Sequence, residues 1–325
     1  MTDSLLFSTP DNPAPENRSE GYFETYDGHK LRYAIFRSSQ AGAKGTVVLL
    51  HGRNEFIEKY FETIRDLNAR GLWVATFDLR GQGGSARLIR HPNRGHVRRF
   101  SDYEHDLTTF MDQIVLPDTR LPFYLLAHST GGLIALSAAP RLNSRIERMV
   151  LSAPFIGLTG QSASPRIIRA LANAFCAVGL GSQPLNRRFR ERPFASNPLT
   201  SDEPRYQRAR DIAAARPDLI LGPPSARWLQ QAFETIDRVT QPEHLYSIGI
   251  PTLLLAPTLD GIIPFAEQER LSRYFRAAQL VPISGARHEI FQEKDVYRGA
   301  ALAAVHAFIP GSDAEAGDGM VGSGL

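Results

Sequence analysis

The stretch that most constrains this chain runs from Phe123 to Gly132, Phe-Tyr-Leu-Leu-Ala-His-Ser-Thr-Gly-Gly. A short apolar run ends in His128-Ser129, and two glycines then open a segment, Leu133 to Ala139, whose small and apolar residues favour a helix. A strand turning so abruptly into a helix holds its corner residue in a strained conformation, with the side chain pushed out beyond the sheet edge. Such a corner needs small neighbours, and Ala127 and Gly131 provide them. Taken alone, a small-x-Ser-x-Gly string also fits an ordinary turn, so its context has to decide.

That context is an alternation of strands and helices. Phe23 to Tyr26 and Leu31 to Phe36 flank Asp27-Gly28, a good hairpin turn. Thr46 to Leu50 reads as a buried strand, Phe56 to Ala69 as a helix closed by Gly71, and Trp73 to Phe77 as the next strand. A helix over Asp102 to Ile114, the strand Phe123 to Ala127, its helix Leu133 to Ala139 and a strand Arg148 to Leu151 continue the rhythm. The pattern predicts a mostly parallel sheet with helices on both faces. After Pro154 the rhythm breaks. From Phe155 to Val239 no clear strand occurs and Arg, Pro and Ala dominate, which predicts an inserted helical cap. Strand character returns at Pro251 to Leu255, followed by a helix over Pro264 to Phe275, a strand over Gln279 to Ile283 and a helix over Glu293 to Phe308. The expected plan is an α/β core from 21–154 and 240–310, a cap over 155–239, a disordered Pro- and Asn-rich segment over 1–20 and a disordered Gly-rich tail over 311–325.

Composition narrows the partners. With 325 residues, 42% hydrophobic and 22% charged, the chain has ample core for a large α/β domain carrying an insertion. A net charge of +3, with no run of Lys and Arg that resembles a phosphate-tracking stripe, argues against nucleic acid. The single cysteine, Cys176, excludes an internal disulfide framework and a Cys-rich zinc site, and its neighbours Phe175 and Ala177 favour a buried, inert thiol. Met1 to Glu20 shows no basic segment followed by an apolar core, and no run of about 18 apolar residues occurs. A cytoplasmic protein is expected.

A serine hydroxyl is a poor nucleophile at neutral pH; it needs a general base, and the base needs a carboxylate to hold its tautomer. Asp260 lies five residues beyond Leu255, and His288 five residues beyond Ile283, each in the loop after a strand. These positions suit partnership with Ser129. His51, beside Gly52 in the turn after the first buried strand, suits a structural role, and His128 is expected to point away from the pocket. His288-Glu289 is no zinc motif, because position 292 is Gln where a second His is needed; no metal and no cofactor are implied. An oxyanion would be held by two backbone N–H groups, expected from Thr130, at a helix N-terminus, and from Arg53, just after His51-Gly52.

At this point the residues match a known group. His51-Gly52-Arg53-Asn54-Glu55 with Glu58-Lys59-Tyr60, Asp78-Leu79-Arg80-Gly81-Gln82-Gly83-Gly84-Ser85, Ala127-His128-Ser129-Thr130-Gly131-Gly132 and Gly285-Ala286-Arg287-His288-Glu289 resemble the monoglyceride-lipase-like α/β-hydrolases. The similarity is greatest to the bacterial lysophospholipase branch, grouped with the serine aminopeptidase-like hydrolases. It spans Tyr22 to Ile309 and includes the cap stretch Asn197 to Asp202 with Arg205-Tyr206. Ala127 departs from the usual Gly. The resemblance implies an α/β-hydrolase fold and a serine ester hydrolase acting through an acyl-enzyme on a small lipid or ester, a lysophospholipid or monoacylglycerol.

Substrate contacts are expected from Ile168, Leu171 and Phe175 in the cap, with plain packing as the alternative use of such spacing. Arg87, Arg90, Arg94, Arg98 and Arg99, with Arg187, Arg188, Arg190 and Arg192, fit a phosphate headgroup, a peripheral contact at the inner membrane surface, or simply a solvated basic face. The competing readings are a broad carboxylesterase, a peptidase using Glu55 or Glu289 to hold a substrate amine, and a non-catalytic binding protein on the same scaffold.

Overall fold

The computed structural model describes residues 4–186 and 193–310. At its centre is an eight-stranded sheet in the order β1-β2-β4-β3-β5-β6-β7-β8. The strands are β1 (Arg18–Glu24), β2 (Lys30–Phe36), β3 (Thr46–Leu50), β4 (Trp73–Phe77), β5 (Phe123–His128), β6 (Arg148–Ser152), β7 (Thr252–Pro257) and β8 (Ala278–Ile283). The β1–β2 hairpin joins β4 antiparallel, and the remaining strands run parallel. The main helices are α1 (Phe61–Ala69), α2 (Ser101–Phe110), α3 (Thr130–Leu142), α4 (Pro165–Ala177), α5 (Glu203–Ala215), α6 (Ala226–Val239), α7 (Phe265–Tyr274) and α8 (Asp295–Phe308).

The central strands read as unbroken apolar runs because both of their faces are covered. Successive residues point to opposite faces, so Val47, Leu49 and Val74 pack with Phe61 and Ile64 of α1 and Val305 of α8. Val48, Leu50 and Ala75 face the other layer, with Leu107 and Phe110 of α2 and the small residues of α3. All three parallel strands that carry the expected functional groups, β5, β7 and β8, end at the same edge of the sheet.

Two expectations need correction. The segment 1–20 was expected to be disordered, yet Leu6 is buried and β1 begins at Arg18. Buried Arg32 provides the reason: it is paired with Glu58 and Asp78, and it also donates to the Leu5 carbonyl, while Glu58 accepts from the Phe7 N–H and its own carbonyl accepts from Asn12. The polar composition of this segment serves a buried charge network and not solvent. The tail over 311–325 lies outside the described residues. In the second correction, the insertion over 155–239 contains no strand among its described residues but does not separate as one cap. Trp228, Ala232 and Ile236 of α6 share the core layer with α3. Cys176 is half-buried, not enclosed. No described helix is long and apolar enough to cross a membrane.

Candidate active site

Ser129 occupies the corner between β5 and α3 with φ 50° and ψ −114°, a strained conformation for a residue with a side chain, costing roughly 1–3 kcal/mol. Its surroundings hold it there. The Ser129 N–H donates to the Ser152 carbonyl at 3.0 Å, and its own carbonyl accepts from Phe155 at 2.9 Å. Gly131 is required because a Cβ at that position would lie 2.5 Å from the Leu50 carbonyl oxygen.

The loop after β7 presents Asp260. Its Oδ1 accepts from the N–H groups of Ile262 and Ile263 at 2.8 and 2.9 Å, which orients Oδ2 to accept from His288 Nδ1 at 2.7 Å. On the far side of the ring, His288 Nε2 lies 3.0 Å from Ser129 Oγ. The loop bearing His288 is gripped from the insertion: Arg287 donates to the carbonyls of Asn197 and Thr200, and the Glu289 N–H donates to Leu199. Asn197 Oδ1 in turn ties the N–H groups of Leu199 and Thr200. The Asn-Pro-Leu-Thr stretch is thus a clamp on the histidine loop. Burial is the strongest influence on His288 and lowers its pKa, but the charge and hydrogen bond of Asp260, backed by Glu289 and Glu55, leave it raised above 6.5. Such a chain can take a proton from a serine hydroxyl and hand it onward.

His51 is structural, as its position suggested, and its contacts explain how. Its Nε2 accepts from the Leu79 N–H, and its Nδ1 lies 2.7 Å from the Gly52 carbonyl. Fixing that carbonyl fixes the trans peptide to Arg53, whose N–H must then point the opposite way. Among the described residues, neither the Arg53 nor the Thr130 N–H donates a hydrogen bond outside regular helix and strand pairing. Both residues border the same cavity.

That cavity has a volume of about 690 Å³. Its wall combines Phe155, Leu158, Trp228 and Leu229 with Lys59, Arg205 and Glu289. Ile168 and Leu171 line it, whereas Phe175 does not; it packs against the core. Arg87, Arg90, Arg94, Arg98 and Arg99 do not line the cavity either; Arg87 and Arg94 donate to backbone carbonyls elsewhere. Arg187, Arg188, Arg190 and Arg192 lie outside the described residues.

The sequence reading missed a buried charge cluster behind the histidine. Lys59 Nζ bridges Glu55 at 2.8 Å and Glu289 at 2.6 Å, and Glu55 also accepts from Tyr60 and from the Gly52 N–H. Burial pushes the Glu289 carboxyl up, whereas for Glu55 burial is outweighed by Lys59 and His128. Of the two acids considered for amine recognition, Glu55 is enclosed and Glu289, which reaches the cavity wall, is already bound to Lys59. His128 is likewise no wall residue, yet its ring centroid lies 4.9 Å from that of His288, and burial lowers its pKa to about 4. The i, i+4 spacing of Glu55 and Lys59 was the one local signal of this cluster.

Known proteins share this arrangement of chain. The family model described as serine aminopeptidase, S33, matches residues 41–295. Lysophospholipase L2 of Escherichia coli K12 is 33% identical over 309 residues, covering 90% of this chain and 87% of its own. Among solved structures, a soluble variant of monoglyceride lipase from Saccharomyces cerevisiae superposes with a TM-score of 0.72 at 22% identity, covering 91% of this chain and 96% of that one. Monoacylglycerol lipase of Paleococcus ferrophilus gives a TM-score of 0.68 at 25% identity, covering 86% and 99%.

Proposed function

This chain belongs to the serine aminopeptidase S33 family of α/β-hydrolases, and from that premise we propose that it is a serine ester hydrolase acting on single-chain lipids, a lysophospholipase or monoacylglycerol lipase. The observation that carries the reading is the hydrogen-bonded chain from Ser129 Oγ through His288 to Asp260, beside a cavity with both apolar and cationic walls.

In this reading Ser129 Oγ attacks the ester carbonyl while His288 Nε2 takes its proton. Asp260 holds the Nδ1–H tautomer and stabilises the imidazolium. The N–H groups of Arg53 and Thr130 receive the oxyanion; losing one such donor costs about 100- to 1,000-fold in rate. His288 then protonates the departing alcohol, and water, activated by the same histidine, releases the fatty acid. Ile168 and Leu171 contact the acyl chain, and the insertion from 155 to the start of α6 acts as the cap. An ester is favoured over a peptide because Glu289, the acid at the wall, is engaged by Lys59.

We place the enzyme in the cytoplasm with peripheral contact at a membrane surface. Ile167, Leu171, Val178 and Leu180 are exposed on and after α4, beside Arg166 and Arg169, and Leu171 also lines the cavity. The test is fatty acid release from matched lysophosphatidylcholine, monoacylglycerol and short soluble ester. Ser129→Ala should abolish turnover of all three. Wild-type rates in that variant would refute the mechanism.

A further inference from the structure

The cations of the cavity wall are not alike. Arg205 is gripped by Glu62, Asp202 and Asp295, and Lys59 by Glu55 and Glu289. Arg53 forms no ion pair with a carboxylate among the described residues; its guanidinium carbon lies 5.6 Å from the Trp228 ring centroid, and Nη2 donates to the Gly222 carbonyl. Gly95 closes the other side, where an added Cβ would sit 3.0 Å from Nη2. Nε is enclosed with no partner. Among the described residues Nη1 also makes no hydrogen bond, but it is not enclosed.

Burial pushes the Arg53 pKa down against a smaller opposing influence from Tyr103, with no carboxylate paired to it among the described residues, and a guanidinium still stays charged. Arg53 is half-buried, and leaving a charge partly withdrawn from water without a counter-charge is costly, which favours an anion that can complete it. A latch on Gly222 would use one of five donors. The cavity side is where the missing partner can arrive.

We propose that the Arg53 side chain is a specificity-determining receptor for an anionic phosphodiester oxygen of a lysophospholipid, bound through Nη1. The assignment rests on the ester-hydrolase reading and deepens it. The Arg53 N–H would face the acyl carbonyl while its side chain takes the phosphate, and the glycerol backbone separating the two groups is about the reach of one arginine side chain. One residue thereby measures the distance from ester to phosphate, a distinction that a neutral monoacylglycerol cannot satisfy. Stacking on Trp228 and contact with Gly95 fix the plane of the fork, which favours a tetrahedral oxyanion over a diffuse negative surface.

The experiment compares Arg53→Met and Arg53→Lys with wild type on lysophosphatidylglycerol and monoacylglycerol of the same acyl chain. Arg53→Met keeps the backbone N–H, and its kcat/KM should fall about 10- to 100-fold more on the lysophospholipid than on the glyceride, chiefly through KM. Arg53→Lys should fall between the two. Binding to the Ser129→Ala protein, followed by Trp228 fluorescence, should weaken for the lysophospholipid alone when Arg53→Met is added. Equal losses on both lipids would overturn the assignment and leave the hydrolase reading standing. A response to inorganic phosphate at the lysolipid's concentrations would also overturn it, making free phosphate the ligand. If wild type hydrolysed neither lipid while Ser129→Ala bound the lysophospholipid in an Arg53-dependent way, the hydrolase reading would fail and the receptor assignment would stand.

Discussion

Replacing Gly131 by alanine would test how tightly the corner at Ser129 is coupled to the turn at Arg53. An ideal Cβ at this position lies 2.5 Å from the Leu50 carbonyl oxygen and 2.7 Å from that of His51. Ordinary contact begins near 3.4 Å, so one backbone must retreat by about 0.9 Å, the difference between 3.4 and 2.5. Neither side can yield cheaply. Leu50 ends β3, which is paired on both edges, and Gly131 lies in the first turn of α3. Overpacking against fixed backbone costs about 1–3 kcal/mol, and at roughly 1–2 °C per kcal/mol for a chain of this size the melting temperature should fall by about 1–6 °C. The displacement also separates the proposed nucleophile from the Arg53 N–H two residues beyond His51. A misplacement of about 1 Å costs on the order of 100-fold, so kcat on a soluble ester should drop by about that factor. Thermal melting and steady-state kinetics on the same preparation read both effects. Wild-type kcat with a normal melting temperature would refute the space argument. A lowered melting temperature with normal kcat would refute the coupling to Arg53.

Two further predictions concern charge. His288 must be neutral to accept a proton, and its pKa is raised above 6.5, so kcat/KM should fall as pH drops, with a midpoint above 6.5. Asp260→Asn removes the main raising influence and should move the residual activity's midpoint below that of wild type; an unmoved midpoint in the pH profile would assign the limb to another group. Lys59→Met leaves Glu55 and Glu289 buried without their cation and should destabilise the protein by about 3–5 kcal/mol. Because burial raises the Glu289 carboxyl, the loss should shrink as the pH falls, since protonating Glu289 in the variant removes one of the two uncompensated charges. A melting difference that grew on acidification would contradict that sign.

Local signals carried the sheet and the corner. Strands buried on both faces announce themselves as short apolar runs, and the succession of β5, Ser129 and small helical residues is written within ten positions. Counting onward from β7 and β8 put Asp260 and His288 in loops at one sheet edge, because parallel strands finish together; the folded chain then links Asp260 to His288 and His288 to Ser129 by hydrogen bonds. The order of residues 4–20 was not legible, because it depends on Arg32 and Glu58, which neighbour that segment only after folding. The same holds for α6, whose amphipathic pattern fits a cap helix or a core helix equally well until α3 is beside it. Phe175 shared its spacing with Ile168 and Leu171, but helical period fixes a face and not its depth, and only packing decided which of the three reaches the cavity. The cluster around Lys59 and the uncompensated charge of Arg53 are properties of partners distant in sequence. Sequence alone determined the elements and the chemistry they can offer; the tertiary structure decided which charges meet, because electrostatic pairing depends on distance in space and not along the chain.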